Sequence, residues 1–452
     1  MKFTSWILIA VGGICVASMA AAPHAPRPPG EICAGDQCAA ADSSTSIQAL
    51  SATAFVDSIG VNVRFSNHKT PYVTSFPLAK EKLLALGVRH VRDAAVDKAG
   101  GFNDRDQAAL FREIGEAGVR VAFVFGPGVS QAFVQGFPAR VAPAFEAYEL
   151  PNEMNAARPD WVQTLRGWAP QFQSYIRSNP ATARYPIIGP SLTDKGDNPS
   201  GALGDLSGYF DFGNTHAYYS SREPGTQGWG RPGAPPCNPW RYGSTEFNLC
   251  NARRVSGQKP VMSTETGWLT DVESPSEVPE DLQAKYLVRM LLLHFDAGIA
   301  RTYIYQLMDS GSDGFRNSGL VTAIGEERPA FKEIRTLIST LQGGKSVEHP
   351  VVVPLALSGD TTSVRKMAFQ KSDGTVHVIL WLEEPGMDPI TRQRQVVTPA
   401  NVTMRAGNPY RVAAISAFAD NGDLQSIATT RPASADQALM LTDALTIVEL
   451  RR

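Results

Sequence analysis

The stretch Phe145-Glu146-Ala147-Tyr148-Glu149-Leu150-Pro151-Asn152-Glu153 decides the fold of this chain. A short, mostly apolar run closed by a proline and two polar residues predicts a buried strand that stops in a loop. A second run of the same kind, Pro260-Val261-Met262-Ser263-Thr264-Glu265, again places a glutamate where the strand ends. Working outward from these two, strand-like runs recur at 59–63, 88–92, 119–125, 144–150, 185–188, 210–216, 261–264 and 302–305. Apolar residues at helical spacing occupy 78–86, 106–117, 161–178, 281–297 and 330–341. Gly87 and Gly118 follow the first two of these helices, where a left-handed cap is expected.

Eight strands separated by helices predict an α/β chain folded as a (β/α)8 TIM barrel over residues 51–343. The rival is an open doubly wound sheet, which wants a glycine-rich phosphate turn after its first strand. Here that strand is followed by Arg64-Phe65-Ser66-Asn67-His68, which is no such turn. After Gly343-Gly344 the texture changes to short β-rich runs, with hairpin signals at Asp373-Gly374 and Asn421-Gly422. Residues 344–452 therefore read as a small antiparallel, sandwich-like β-domain. It has no compact acid or histidine cluster, so an accessory role is expected.

The 452 residues carry a formal net charge of −2, so nothing points to nucleic acid or an anionic membrane as partner. Lys2, the apolar run 6–16 and Ala20-Ala21-Ala22 read as a signal peptide over 1–22. A membrane anchor is the alternative, but the run falls short of the ~20 residues a span needs. The expectation is a secreted or periplasmic protein with no membrane span after signal removal, monomeric by default. Residues 23–50, rich in Pro, Ala, Gly and Ser, read as a linker or tail. Four cysteines survive signal removal: Cys33, Cys38, Cys237 and Cys250. An even number in an exported chain suggests disulfides, and proximity favours Cys33–Cys38 and Cys237–Cys250 among three possible connectivities. No histidine lies at zinc-ligand spacing near either pair.

In a barrel, reactive groups stand at the C-terminal ends of strands. The pattern puts Arg92 and Asp93 at the second such end, Asn152 and Glu153 at the fourth, and His216 and Tyr218 at the sixth. Glu265 stands at the seventh, and Gln306 and Asp309 at the eighth. Two acids with an arginine, a histidine, a tyrosine and an asparagine suit glycosyl transfer, in which one carboxyl protonates the leaving oxygen and another attacks or assists at carbon. Neither a metal trio nor a Gly-x-Ser-x-Gly elbow is present, so no metal and no cofactor is expected. Asp309 and Gln306 read as structural.

Leu150-Pro151-Asn152-Glu153-Met154-Asn155 resembles the Asn-Glu-Pro signature of the large clan of retaining barrel glycosidases, clan A, with Met154 in place of the usual proline. Gly87-Val88-Arg89-His90-Val91-Arg92-Asp93 and Asp211-Phe212-Gly213-Asn214-Thr215-His216-Ala217-Tyr218 look closest to family 39-like bacterial endoglycosidases. The resemblance implies Glu153 as acid/base, Glu265 as nucleophile and Asn152 as a ligand of the sugar 2-hydroxyl. Arg92 is the natural cation to keep Glu265 ionised, Tyr218 a donor to it, and His216 an orienting group, and with Asn152 all three are expected among the substrate-binding residues. For retention the two carboxyls should stand roughly 5–5.5 Å apart. In this clan a tryptophan often closes the sugar site at the eighth strand; here the run is Tyr303-Ile304-Tyr305-Gln306.

The long segment 218–259 carries Tyr218, Tyr219, Trp229, Trp240, Tyr242 and Phe247 among many glycines and prolines. Such a segment is expected to be functional, its rings stacking on sugars, or else to form an aromatic mini-core. Trp229, Trp240 and Trp268 are the indoles expected at the substrate. The reading that results is an exported, retaining, endo-acting glycosidase of a polysaccharide or exopolysaccharide. Exo-action, transglycosylation and a catalytically silent glycan-binding barrel stay open.

Overall fold

A computed structural model describes residues 45–96, 107–193, 198–270, 277–310, 317–429 and 436–452. The expected signal peptide, the tail up to residue 44 and the Cys33/Cys38 pair lie outside the described residues.

The eight expected barrel strands are all present: β1 (Ile59–Asn62), β2 (His90–Ala94), β3 (Arg120–Val124), β4 (Phe145–Glu149), β5 (Ile187–Ile188), β6 (Gly213–His216), β7 (Val261–Thr266) and β8 (Arg301–Ile304). They form one parallel sheet in the order β5-β4-β3-β2-β1-β8-β7-β6. The two edges meet where Ile188 bridges Phe212 and the Gly189 N–H donates to the Phe212 carbonyl at 2.8 Å, so the barrel is nearly closed.

Its interior is packed rather than open. Ala122, Ala147, Ile188, Met262 and Tyr303 meet inside. Gly60 is required there, because a Cβ at that position would stand 2.5 Å from the Tyr303 ring. At the strand N-termini, Glu146 accepts from Arg301 at 3.0 Å and pairs with His90 at 2.9 Å, while Asp57 holds the other His90 nitrogen at 3.0 Å. This polar plug belongs to the end of the barrel that carries stability rather than chemistry.

Helices cover the outside. The helix Phe76–Leu86 ends on Gly87 at φ 85 in the left-handed region, as its sequence predicts. Gln131–Val141 is a helix the periodicity does not announce; Ser130 caps it, although Gly136 and Pro138 interrupt it. Glu280–Asp296 is buried on nearly every side, because one face meets the barrel and another meets the β-domain. Its polar residues are therefore paired, Lys285 with Asp443 at 3.0 Å and Arg289 with Glu383. Across the same joint the Gly386 N–H donates to Tyr286 Oη at 2.9 Å.

The C-terminal residues form a four-stranded and a six-stranded sheet around their own core. Both hairpin signals sit at real turns. Asp373-Gly374 joins Val364–Gln370 to Val376–Leu382, and Asn421-Gly422 joins Arg411–Phe418 to Leu424–Thr429. Residues 46–51, read from the sequence as tail and barrel entry, instead supply strands Ser46–Gln48 and Leu50–Ser51 to these two sheets. A stretch this short shows no periodicity of its own; its pairing partners lie roughly 300 residues away in the chain.

Candidate active site

The C-terminal ends of β2, β4, β6 and β7 converge on one polar cluster. Arg92 on β2 is its centre. Nε and Nη2 donate to the two Glu149 carboxylate oxygens, each at 2.8 Å. Nη1 donates to Glu265 at 2.7 Å and to Asn62 at 3.1 Å, and Nη2 also donates to Asn152 at 2.6 Å. A guanidinium has five N–H groups. All five are used here, so Arg92, expected to bind substrate, instead positions carboxylates and has no donor left for a sugar. Both flanking charges reinforce its protonated state against burial.

Glu265 stands at the end of β7 with its side chain 14% exposed. Burial pushes its carboxyl up, but the charges of His216 and Arg92, with hydrogen bonds from Arg92 and Tyr218, hold it below the usual glutamate value. Tyr218 Oη donates to Glu265 Oε2 at 3.1 Å. Burial and the nearby carboxylates keep the Tyr218 phenol strongly protonated.

Glu153 opens the short helix Met154–Ala157 in the left-handed region, φ 44 and ψ 40, an uncommon conformation for a side-chain-bearing residue. Its N–H donates to the Ser191 carbonyl at 3.1 Å, which fixes the turn. Its carboxylate meets His216 Nδ1 at 2.6 Å. His216 Nε2 contacts Thr264 Oγ1 at 3.1 Å. His216, expected to contact substrate, has both nitrogens engaged and orients Glu153.

Proton positions follow by elimination. The Asn214 amide nitrogen donates to Glu149 and to the Gly189 carbonyl, both at 3.0 Å, so Asn214 Oδ1 faces Thr264. The Thr264 hydroxyl donates to that oxygen at 2.7 Å. Thr264 has one proton and spends it there, so His216 Nε2 must donate to Thr264. His216 Nδ1 faces the Glu153 carboxyl at 2.6 Å, so the two groups share one short hydrogen bond.

Asn152 is exposed. Its Oδ1 accepts from Arg92 and, at 3.3 Å, from the Ser191 hydroxyl, which leaves the amide nitrogen with no partner among the described residues. That is the geometry of a donor awaiting a hydroxyl. One oxygen of Glu153, one oxygen of Glu265 and a nitrogen of His216 all lie within 4.8 Å of one another. The same three groups are the set among the described residues that could ligate a cation. Arg92 already supplies a positive charge to Glu265 there.

The remaining candidates separate. Asp93 is clamped by the Ser66 N–H at 3.1 Å and the Ser66 hydroxyl at 2.5 Å, and burial raises its carboxyl to about 7. Asp309 accepts from Arg328 at 2.9 Å and from the Gly319 N–H at 2.8 Å, and Gln306 donates to Ser318 at 3.1 Å; both are structural. Trp268 does not line the site. It is 2% exposed, stacked on Tyr219 at 5.5 Å, and its Nε1–H donates to the Arg222 carbonyl at 3.1 Å. Its position after Glu265 suggests the rim, but the chain turns outward at Gly267, φ 149, and buries the indole.

Segment 218–259 is not one loop. It holds a two-stranded ribbon, Trp229–Pro232 with Arg241–Tyr242, and the barrel helix Thr245–Ser256. Cys237 and Cys250 form a disulfide that ties ribbon to helix. Trp229 and Trp240 are half-buried. The polar residues Glu149, Asn62, Asn214, Thr264 and Ser191 are functional neighbours that sequence reading passes over. The available signal is a polar side chain at an inward position of an otherwise apolar strand.

No family model matches the chain, and no curated protein matches it. Solved structures do. A family 39 glycoside hydrolase from Bacteroides cellulosilyticus WH2 is 16% identical at a TM-score of 0.55, covering 88% of this chain and 81% of that one. A family 51 α-L-arabinofuranosidase from Thermotoga petrophila RKU-1 is 11% identical at 0.57, covering 90% and 98%. A family 51 arabinofuranosidase from Xanthomonas axonopodis pv. citri is 12% identical at 0.52, covering 83% and 89%. The chain thus has the fold of clan A glycoside hydrolases, a (β/α)8 barrel carrying a C-terminal β-domain.

Proposed function

We propose that the protein is an exported retaining glycoside hydrolase that cuts a polysaccharide internally. Glu265 attacks the anomeric carbon and forms a glycosyl-enzyme; Glu153 protonates the departing oxygen and then takes a proton from the incoming water. The observation that carries the reading is the convergence of Glu153, His216 and Glu265 atoms within 4.8 Å. An inverting pair must leave room for a water between the carboxyls, roughly 6.5–9.5 Å. Glu265, held ionised by Arg92, is the nucleophile, and Glu153, sharing a proton with His216, is the acid. The ribbon that follows Tyr218 in the chain, with half-buried Trp240, supports an extended binding groove and hence internal cleavage.

The test is product analysis by mass spectrometry and NMR after incubation with a glycan panel, with Glu153→Gln and Glu265→Gln as controls. Oligosaccharides with retained anomeric configuration, lost in both variants, are expected. Monosaccharides released only from chain ends would make the enzyme exo-acting, and longer products would make it a transglycosylase. Equal glycan binding by all three proteins with no turnover would end the enzymatic reading.

A further inference from the structure

Segment 218–259 departs in charge from the rest of the chain. It carries six basic and two acidic side chains, in a protein of net charge −2. The basic residues ahead of its helix Thr245–Ser256 are Arg222, Arg231 and Arg241. No salt bridge among the described residues involves any of the three, and the adjacent Glu223 acts on Arg222 only through its charge. Other arginines of the barrel are committed, Arg92 to Glu149 and Glu265, Arg328 to Asp309, Arg177 to Asp211.

Arg222 is also held in place. Its guanidinium lies over the Trp229 ring at 4.1 Å from the centroid. That indole is seated against Tyr242, edge to face at 4.9 Å. On its other border is Gly243, where a Cβ would stand 2.1 Å from the ring. A face of Trp229 is therefore covered by Arg222, so this indole serves as a platform for a cation rather than for a sugar. The backbone of Arg222 is tied to Trp268, three residues beyond Glu265, and Tyr218, four residues earlier, touches Glu265. Arg231 and Arg241 are exposed on the adjoining ribbon strands. A stacked guanidinium with free N–H groups is a preorganised receptor for a planar or tetrahedral oxyanion.

We infer that the substrate is an anionic glycan, and that Arg222, cushioned on Trp229, binds its carboxylate or sulfate, with Arg231 and Arg241 extending the basic strip along the chain. The inference rests on the glycosidase reading for the identity of the neighbouring site, and its test is a binding measurement that does not need turnover. Titration calorimetry of the full-length Glu153→Gln protein would use polygalacturonate, hyaluronan and alginate fragments, each paired with its carboxyl-reduced form. Dextran sulfate paired with dextran forms the sulfate arm.

The expected result is binding of at least one acidic member, absent for its neutral partner and weakened by added salt. Affinity should fall about tenfold to a hundredfold on Arg222→Gln, the loss expected for charge-assisted hydrogen bonds. The exposed pair Arg231→Gln/Arg241→Gln should fall less and lose part of the salt dependence, which keeps the test decisive if the Arg222 variant does not fold. Equal affinity for acidic and neutral partners, no binding to any acidic member, or arginine variants that bind like the parent would overturn the inference. Turnover of a neutral glycan by the wild type, unaffected by the variants, would overturn it while leaving the glycosidase reading intact. Arginine-dependent acidic binding without turnover would do the reverse.

Discussion

His216 Nδ1 lies 2.6 Å from Glu153 Oε1, and the ring is held from its far side by a third residue, Thr264, 3.1 Å from Nε2. Replacing Thr264 by Val removes the acceptor for Nε2–H and leaves the Asn214 oxygen without its donor. The imidazole then loses the contact that orients it toward Glu153. Thr264→Val should lower kcat roughly tenfold, and His216→Phe about a hundredfold, the lower part of the range that general acid catalysis supplies. Steady-state rates against a substrate with a poor leaving group, compared with an activated one that needs no protonation, check this. An equal loss on both substrates would show that His216 acts only in folding.

Glu265 gives a pH prediction. Its folded carboxyl lies below the ordinary glutamate value, burial being outweighed by His216, Arg92 and Tyr218. A depressed carboxyl contributes stability that is present above its unfolded value, about 4.3, and lost as pH falls through the folded one. Catalysis by the ionised form should fail in the same direction. Tyr218→Phe deletes one hydrogen bond to the charged oxygen, a loss of about 1.5–3 kcal/mol for the ionised state. The acid limb of kcat/KM should move to higher pH in this variant, with circular dichroism unchanged. An unmoved limb would remove Tyr218 from the support of Glu265.

Much of this was open to reading in residue order, and the exceptions have physical reasons. Glu153, Glu265, Arg92 and Tyr218 follow from strand ends, because a parallel barrel brings all those ends to one face. Glu149 stands four residues before Glu153 in the same run, yet its pairing with Arg92 depends on register across β3, which no single strand reveals. The helix Thr245–Ser256 escapes notice because its buried side carries Asn248, Thr245 and Ser256 as well as apolar residues. Trp268 misleads because an aromatic just past a strand end can turn to the rim or to the helix layer with equal local sequence. Packing on Tyr219 and Tyr286 decides for the latter.

Glu333, on the helix Pro329–Leu341, is a second titratable group with a readable consequence. It is 1% exposed, and neither carboxylate oxygen has a hydrogen-bond partner. Burial raises it to about 8; Lys285 pulls it down, while Asp443, Asp420 and Asp281 push it further up. For an acid raised on folding, stability is fully present below the unfolded value and is lost as pH rises through the folded one. Between about pH 4.3 and 8 the unfolded chain ionises this group while the native protein does not. Glu333→Gln cannot ionise and keeps the shape, so it should flatten the decline of Tm over this window. Its stability relative to the wild type should therefore rise from pH 5 to pH 8, because only the wild type must keep neutral a group that ionises when unfolded. Thermal melts of both proteins from pH 5 to 9 test it, and parallel curves would refute it.

The joint between barrel and β-domain turns on Glu383, which draws together three elements. Arg289, fully buried on the helix Glu280–Asp296, donates to it from Nε at 3.1 Å and also from Nη2. Trp381 Nε1–H donates at 2.6 Å, and the Gly225 N–H, at the root of the aromatic ribbon, at 3.0 Å. Removing one partner of a buried pair leaves the other uncompensated, so Arg289→Met should cost about 3–5 kcal/mol. Arg289→Met/Glu383→Leu removes both charges and should recover most of that stability. It still deprives Gly225 of its acceptor, so the ribbon root loosens in the stable double variant. The expected signature is therefore a split: near-normal Tm and kcat in the double variant, with KM for a polymeric substrate raised several-fold and KM for a short activated glycoside unchanged. Unchanged KM on both substrates would show that Glu383 serves only the domain joint and that the ribbon is held by its disulfide alone.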